Sequence, residues 1–123
     1  MFDDRSPIYR QIADRIKDDV LRGVLTDDQQ VMSTNQYAAY YRINPATAAK
    51  AFQQLVDEGV IYKRRGVGMF VSAGAQRRLR DRRRERFFGE VLEPMIAEAR
   101  TLGIPVADIV ARIHQLTSPG DGR

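Results

Sequence analysis

The stretch INPATAAKAF, Ile43 to Phe52, decides the fold. Asn44 is a good helix cap because its side chain can accept a hydrogen bond from a free backbone amide, and Pro45 suits the first helical position. The helix should run over residues 45–58 and stop at Gly59. Its outer face is small and nearly uncharged, whereas surface helices usually carry Glu, Lys, Gln and Arg. We infer that a large partner approaches this face.

The two faces of this helix predict two kinds of contact. The apolar inner face comprises Ala48, Ala51, Phe52 and Leu55, which we expect to meet Ile12, Ile16 and Tyr37. The outer face presents Ala46, Thr47, Ala49, Lys50, Gln53 and Gln54. A helix that enters the major groove of DNA, about 12 Å wide, turns its first residues toward the base edges. We predict such a helix; the alternative is a helix that packs on another part of the same protein.

Three outer residues have the chemistry for contacts with DNA. Thr47 can meet a thymine methyl group or a base acceptor, Gln53 can pair with adenine, and Lys50 can reach a phosphate or a guanine. The positive end of the helix, which begins at Asn44, also favours a nearby phosphate.

Two helices are predicted before this one. Ser6 and Pro7 open the first, with Ser6 as its N-cap, and Gly23 ends it. The polar stretch VLTDDQQVM, residues 24–32, is predicted to be a loop. Ser33 then caps a second helix that ends at Tyr41.

A β-hairpin is predicted after the third helix. VIYKR (60–64) and MFVS (69–72) are β-rich runs, and Gly66 and Gly68 between them permit a tight reversal with positive φ. A basic hairpin tip can lie against the minor groove, where arginine is electrostatically favoured. The alternative is a solvated hairpin whose charges protect an exposed strand edge. The basic residues are Lys63, Arg64 and Arg65.

Residues 77–86, RRLRDRRRER, hold most of the positive charge. The run carries seven Arg, one Asp and one Glu, a net +5, whereas the whole chain is +4 with a pI of about 9.8. We expect some of these arginines to add salt-sensitive, sequence-independent affinity for DNA. A solvated helix surface, with i,i+4 pairs to Asp81 and Glu85, is the alternative.

The chain returns to helix from about Ala75, and Pro94 should kink this helix near Glu90. Gly103 should end it, and residues 105–116 should form a last helix. Residues 118–123 should be a disordered tail.

The last two helices carry a broad apolar face that their own chain cannot cover. A second copy of the chain is the expected cover. The predicted dimerisation residues are Phe88, Val91, Leu92, Met95, Ile96, Ala99, Leu102, Ile109 and Ile113. The same region holds the candidate lining of an effector pocket, namely Phe87, Phe88, Met95 and Arg100.

Several classes of protein are excluded by composition. There is no cysteine, so disulfides and thiolate chemistry are absent. No apolar run approaches the roughly 18 residues of a membrane span, and the N-terminus MFDDRSPIYR is too acidic and polar for a signal peptide. We therefore expect a cytoplasmic protein with no membrane partner. His114 is the only histidine, and no nucleophile or metal-ligand motif accompanies it, so we expect no enzyme, metal or cofactor beyond an effector of open identity.

Residues 6–72 resemble the GntR family of bacterial transcription regulators. The matching pieces are P-I-Y-x-Q-I at the start, N-P-x-T at the third helix, L-x-x-E-G at its end and R-R-G-x-G-x-F-V in the hairpin. The short two-helix C-terminus looks like that of the YtrA subfamily, which lacks a large effector domain. The resemblance implies a winged helix-turn-helix, a homodimer and repression of a promoter, often that of an ABC-transporter operon.

The DNA-contact positions of the family carry over residue by residue. Ser33 matches the serine that opens the second helix, but Asn35 stands where the family has arginine. Two further departures are Val67 at the hairpin tip, usually small or basic, and Met69, usually Thr. Loss of the arginine should change affinity or target sequence. The predicted contact residues are Ser33, Asn35, Asn44, Pro45, Ala46, Thr47, Lys50, Lys63, Arg64, Arg65, Gly66, Val67 and Gly68.

Together these features predict a mainly α-helical fold with a small β-hairpin. Residues 1–73 should form a winged helix-turn-helix DNA-binding domain, and residues 74–117 a helical dimerisation segment. The predicted function is that of a homodimeric, sequence-specific transcriptional regulator acting as a repressor, which binds a two-fold double-stranded DNA operator through the helix 45–58 and the wing 60–72. The main alternative is a winged module that binds RNA or protein through the arginine-rich helix.

Overall fold

The computed structural model describes residues 2–119. It contains two compact units, of which the first ends at Asp81 and the second begins at Arg82. The predicted class, mainly α-helical with a small β-hairpin, is confirmed. The predicted domain bounds at 73/74 and 117/118 stay predictions. The elements are α1 Ile8–Leu21, β1 Gln30–Val31, α2 Thr34–Tyr41, α3 Pro45–Asp57, β2 Ile61–Arg64, β3 Gly68–Val71, α4 Ala75–Phe87, a π-helical turn Phe88–Leu92, α5 Glu93–Thr101 and α6 Val106–Thr117.

Side-chain caps set the starts of α2 and α3. Ser33 Oγ accepts a hydrogen bond from Gln36 N at 3.0 Å, and Gln36 Oε1 accepts one from Ser33 N at 2.9 Å. This reciprocal capping box satisfies two backbone amides that the helix itself cannot. Asn44 Oδ1 accepts a hydrogen bond from Ala46 N at 2.8 Å, and Pro45 occupies the first helical position. Both predicted caps are confirmed.

The start of α1 differs from the prediction. The N-cap is Pro7 rather than Ser6, and no side chain caps this end. The carbonyl of Ser6 instead accepts a hydrogen bond from Gln11 Nε2 at 2.8 Å. Gln11 also bonds the backbone of Asp3, donating to its carbonyl at 2.7 Å and accepting from its amide at 3.0 Å. One side chain from inside α1 thus holds the approach to the helix in place of a capping serine.

The prediction of a loop over residues 24–32 was wrong at its end. Residues 30 and 31 form β1, which pairs antiparallel with β3, so that the sheet has the order β1-β3-β2. Gln30 lies opposite Phe70, and Val31, which is buried, lies opposite Met69. A strand this short has too few residues to show an alternating pattern, and its pairing partner lies far along the sequence.

The core of the first unit is built around the inner face of α3. Ala48, Ala51 and Leu55 are fully buried and Phe52 is 1% exposed, which confirms the predicted inner face. The Phe52 ring lies 5.6 Å from that of Tyr37 in an edge-to-face contact. Around them pack Ile12 and Ile16 of α1, Val31, Val60, Ile61 and Val71 of the sheet region, and Ala75 and Leu79 of α4.

In the second unit, a π-helical turn precedes Pro94. Proline has no N–H to donate to the carbonyl four residues earlier, which here belongs to Glu90. The turn Phe88–Leu92 spans that carbonyl, so the predicted interruption near Glu90 takes the form of a local widening of the helix. Gly103, with φ 70°, follows α5 as predicted. The last helix, α6, begins one residue later than predicted, with Pro105 as its N-cap, and ends at Thr117.

Much of the predicted dimerisation face is uncovered within the second unit. Phe88 and Leu102 are 60% and 62% exposed, and Ala99 is buried. Ile113, another of the predicted dimerisation residues, is 48% exposed in the single chain. Val91 and Met95 are exposed, and Leu92, Ile96 and Ile109 are half-buried.

The predicted disordered tail, residues 118–123, falls mostly outside the described residues. Ser118 is described, and its Oγ donates a hydrogen bond to the carbonyl of His114 at the end of α6.

Two glycines and a side chain from β1 shape the hairpin tip. Arg64 pairs with Gly68, and Val67 N donates to Arg64 O at 2.9 Å, which closes the loop 65–67. Gly66 has φ 76° and Gly68 has φ 145°, which confirms the predicted positive φ. Gln30 Nε2 donates to Val67 O at 3.2 Å. A Cβ placed on Gly68 would lie 2.5 Å from the same Gln30 nitrogen, so a larger residue here would displace the Gln30 side chain that donates to Val67 O.

Gly68→Ala should lower the free energy of unfolding by about 1–3 kcal/mol, since alanine is strained at this φ and meets Gln30. Gly66→Ala is the control for a positive φ; its φ of 76° is nearer than the 145° of Gly68 to the left-handed region that alanine can adopt, and it meets no atom within 4 Å, so it should cost less. Urea unfolding of each variant measures the difference. Adding Gln30→Ala to Gly68→Ala should recover the part of the lost stability that comes from the clash with Gln30. If the loss is unchanged, the glycine is not needed to make room for Gln30.

Candidate nucleic-acid interface

The N-terminal turns of α3 are exposed, opposite the buried inner face. Ala46, Lys50 and Gln53 form one stripe, because residues three and four apart share a helix face. The small side chains of Ala46 and Ala49 keep this surface low. Of the predicted contact residues here, Asn44, Pro45, Ala46 and Lys50 are exposed and Thr47 is half-buried.

The longer side chains of this outer face have partners within the unit. The ammonium nitrogen of Lys50 lies 4.2 Å from the centre of the Tyr9 ring. Gln53 Nε2 donates to Asp57 Oδ1 at 2.8 Å, and Gln54 Nε2 donates to Glu58 Oε2 at 2.9 Å. Asp57 accepts only, so the Gln53 amide keeps its oxygen and one N–H for another partner. The i,i+4 spacing of glutamine and carboxylate is a sequence signal that could have revealed these pairs.

The start of α2 adds neutral polar groups. Ser33 and Asn35 are both exposed. Ser33 Oγ accepts from Gln36 N, which leaves its hydroxyl hydrogen to be donated outward. Arg42, which the sequence interpretation missed, is exposed in the turn between α2 and α3 and has a left-handed backbone with φ 55°. Its place between the two predicted helices could have marked Arg42 in the sequence as a further candidate for DNA contact.

The wing, residues 60–72, carries its cations on an aromatic support. Lys63, Arg64 and Arg65 are exposed. The Arg64 guanidinium carbon lies 5.5 Å from the centre of the Phe70 ring, and Phe70 stacks on Tyr62 at 5.7 Å. The guanidinium of Arg64 therefore lies over the Phe70 ring, whereas Arg65 stands at the tip.

The same wing is tied to the turn before β1. Tyr62 Oη donates to Asp28 Oδ1 at 2.8 Å, and this hydrogen bond raises the pKa of the Tyr62 hydroxyl. Asp28 has φ 61°, and its amide donates to Val71 O at 2.8 Å. Together with Gln30, these contacts hold the hairpin at both its base and its tip.

One member of the arginine run has a structural role. Arg78 Nη2 donates to Gly59 O at 2.7 Å, and its Nη1 donates to Ala73 O at 3.0 Å. Arg78 thereby joins α4 to the end of α3 and to the end of the wing. Leu79 is buried, and the remaining arginines of the run are exposed. A count of charges in the sequence cannot separate Arg78 from its neighbours.

The candidate effector residues are only partly brought together. The rings of Phe87 and Phe88 make an edge-to-face contact with centres 5.6 Å apart. Phe87, Phe88, Met95 and Arg100 are all exposed.

Two other kinds of site are missing from residues 2–119. No group of three or more His, Cys, Asp or Glu side chains in this range could hold a metal ion. None of the helices in the same range is both long and apolar enough to cross a membrane.

Comparison with known proteins identifies relatives over nearly the full chain. The HTH-type transcriptional repressor YtrA of Bacillus subtilis is 29% identical over 117 residues, covering 95% of this chain and 89% of its own. A transcriptional regulator from Oenococcus oeni has a crystal structure that matches with a TM-score of 0.78 at 29% identity, covering 94% of this chain and 95% of its own. These relatives are transcriptional regulators rather than enzymes.

A third comparison covers part of the chain. The DNA-binding domain of AraR, solved in complex with operator ORX1, matches 58% of this chain and 93% of its own with a TM-score of 0.54 at 26% identity.

The family model for bacterial regulatory proteins of the gntR family matches residues 8–71. These limits coincide with the first residue of α1 and the last residue of β3. The match therefore contains every helix and strand of the winged helix-turn-helix. Since it spans 64 of 123 residues, counted as 71 − 8 + 1, the chain belongs to the GntR family and is a transcriptional regulator with a DNA-binding winged helix-turn-helix.

Proposed function

We propose that the chain acts as a homodimeric repressor that binds a two-fold DNA operator through α3 and the wing. This proposal rests on the N-terminal face of α3, which is exposed and carries small side chains, while the opposite face of the helix is buried in the core. The similarity to YtrA, which is named a repressor, supports repression. AraR, whose DNA-binding domain is similar, was solved on operator DNA. Because the operator DNA of a bacterium lies in the cytoplasm, we expect the protein to work there.

Base contacts are assigned to the first turns of α3. Ala46 and Ala49 let the helix backbone approach the floor of the major groove. Thr47 meets a thymine methyl or a base acceptor, and Lys50 meets a guanine or a phosphate. Gln53 keeps an oxygen and an N–H for a base after bonding Asp57, which suits adenine.

Phosphate contacts are assigned to the helix starts. Ser33 can donate its hydroxyl hydrogen to a phosphate. The N-terminal end of α3, at Asn44 and Pro45, carries a partial positive charge that attracts a phosphate of the DNA backbone. Asn35 supplies a neutral hydrogen bond where the family has arginine. The wing and the arginine run should therefore carry a larger share of the charge-dependent affinity.

The wing is assigned to the minor groove. Lys63 and Arg64 line its side, and Arg65 stands at the tip beside Gly66, Val67 and Gly68. A narrow minor groove attracts arginine because its electrostatic potential is strongly negative. Val67 can make only apolar contact there, so the charge must come from its neighbours.

Dimerisation is assigned to the apolar residues of the second unit. Val91 and Met95 follow one another at i,i+4 spacing, and Leu102 and Ile113 are also exposed. A second copy would cover this surface by two-fold symmetry, as in most homodimers. Two winged heads would then read half-sites about one helical turn, some 34–36 Å, apart. An effector that binds near Phe87, Phe88, Met95 and Arg100 would control the spacing of the heads.

Replacement of Thr47 and Lys50 by alanine tests the reading helix. Removal of each base-reading side chain should cost about 1–3 kcal/mol, so binding to a promoter fragment should fall more than binding to scrambled DNA, which loses at most one phosphate contact, that of Lys50. Fluorescence anisotropy over a salt series measures both. Thr26→Ala with Arg22→Ala is the matched control, since both residues are exposed outside the predicted contacts. Unchanged specific binding by the α3 variant would refute the assignment.

The same assay distinguishes a sequence reader from the main alternative, a module that binds through the arginine-rich helix. Replacing Arg77, Arg80, Arg84 and Arg86 by glutamine should weaken specific and scrambled DNA alike. The salt dependence should fall by about one unit of slope for each arginine that had neutralised a phosphate. If these variants abolish all binding while the α3 variant keeps the full affinity of the unaltered chain, the chain is a polyanion-binding module rather than a sequence reader.

Val91→Asp with Met95→Asp tests the dimer. The unaltered chain, of 14.0 kDa, should have twice this mass in light scattering, and the variant should have the mass of one chain. Charges are tolerated on an exposed face but not in an apolar interface. Gln115→Glu, at an exposed polar position of α6, is the control for added charge. A variant that remains dimeric would place the interface elsewhere.

A further inference from the structure

Tyr9 of α1 contacts the one cationic side chain of α3. The Lys50 ammonium nitrogen lies 4.2 Å from the centre of the Tyr9 ring, well inside the roughly 6 Å over which a cation and an aromatic face attract. The geometry points to Tyr9 as a positioning residue that holds Lys50 ready for DNA and so helps set affinity and target choice. This inference rests on the proposed function, in which Lys50 contacts DNA.

The ring of Tyr9 is a rigid platform. It is half-buried and packs against the core of the first unit. Three and four residues later, Ile12 and Ala13 are fully buried, so this part of α1 cannot shift without opening the core. Tyr9 therefore has a fixed position relative to α3, which packs on α1.

An aromatic support has a property that a carboxylate lacks. It attracts the ammonium group without cancelling its charge, and the three N–H donors stay available to a phosphate or a guanine. The sequence of α3 is consistent with this choice of support. The positions three and four residues from Lys50 are Ala46, Thr47, Gln53 and Gln54, none of which is acidic.

Holding the side chain in advance lowers the cost of binding. Lysine has a long flexible stem, and part of its conformational entropy is lost when it is fixed against DNA. If Tyr9 already restricts the stem in the free protein, less is lost in the complex. The opposite effect, in which the ring withdraws the ammonium from DNA, predicts tighter binding once the ring is removed, so the two effects differ in sign.

The test compares Tyr9→Phe and Tyr9→Leu, each made in the unaltered chain and in the Lys50→Met background. The DNA is a duplex selected by the unaltered protein, and anisotropy gives the dissociation constants. Tyr9→Phe keeps the aromatic face and should bind like the unaltered chain. Tyr9→Leu keeps an apolar side chain but no aromatic face, and should bind about two- to fivefold more weakly. In the Lys50→Met background, the two Tyr9 variants should bind equally.

The outcomes separate this inference from the proposed function. If Lys50→Met weakens binding but Tyr9→Leu binds as well as or better than Tyr9→Phe, the positioning role is wrong and the Lys50 contact stands. If Tyr9→Leu weakens binding equally in both backgrounds, Tyr9 does not act through Lys50. It then acts through the fold, in which case thermal unfolding should show the same loss, or through Arg10, whose guanidinium carbon lies 5.9 Å from the centre of the same ring. If Lys50→Met binds normally, the proposed Lys50 contact fails, and the role of Tyr9 with it.

Discussion

The packing of Phe52 and Leu55 against α1 and α2 is the interaction on which the rest of the structure depends. It buries one face of α3 and thereby decides which residues face outward. A rotation of α3 that exposed Phe52 would forfeit about 3–5 kcal/mol, judging from the cost of truncating a buried phenylalanine. The outer stripe at Ala46, Lys50 and Gln53 is therefore presented in one orientation. Tyr9 extends the same packing to the tip of the Lys50 side chain.

The wing depends on elements that are distant in sequence. Gln30 holds the tip, Asp28 holds the base through Tyr62, and Arg78 joins the wing and the end of α3 to α4. Each of these hydrogen bonds joins residues that are far apart in the sequence. The hairpin is consequently supported at its tip by β1 and at its base by α4 before any DNA is present, which reduces the entropy to be lost on binding.

Local signals in the sequence predicted the helix starts at Ser33 and Asn44, the buried face of α3 and the positive φ of Gly66 and Gly68. Each of these is decided within a few residues by capping, periodicity or turn chemistry. The strand β1, the role of Gln30 and the separation of Arg78 from the other arginines could not be predicted in this way, because they depend on contacts between residues far apart in the chain. Dimerisation and DNA binding each involve a second molecule, so no local pattern within one chain fixes the geometry of those contacts.

Methylation interference on duplexes that the protein selects from genomic DNA tests the central claim most directly. Dimethyl sulfate marks guanine N7, which faces the major groove, and adenine N3, which faces the minor groove. If α3 reads the major groove and the wing follows the minor groove, interference at guanine N7 should fall in two clusters about one helical turn apart, with adenine N3 interference beside each cluster. Selected duplexes that carry guanines in both half-sites but show no interference at guanine N7 would contradict the assignment of α3 as the reading helix.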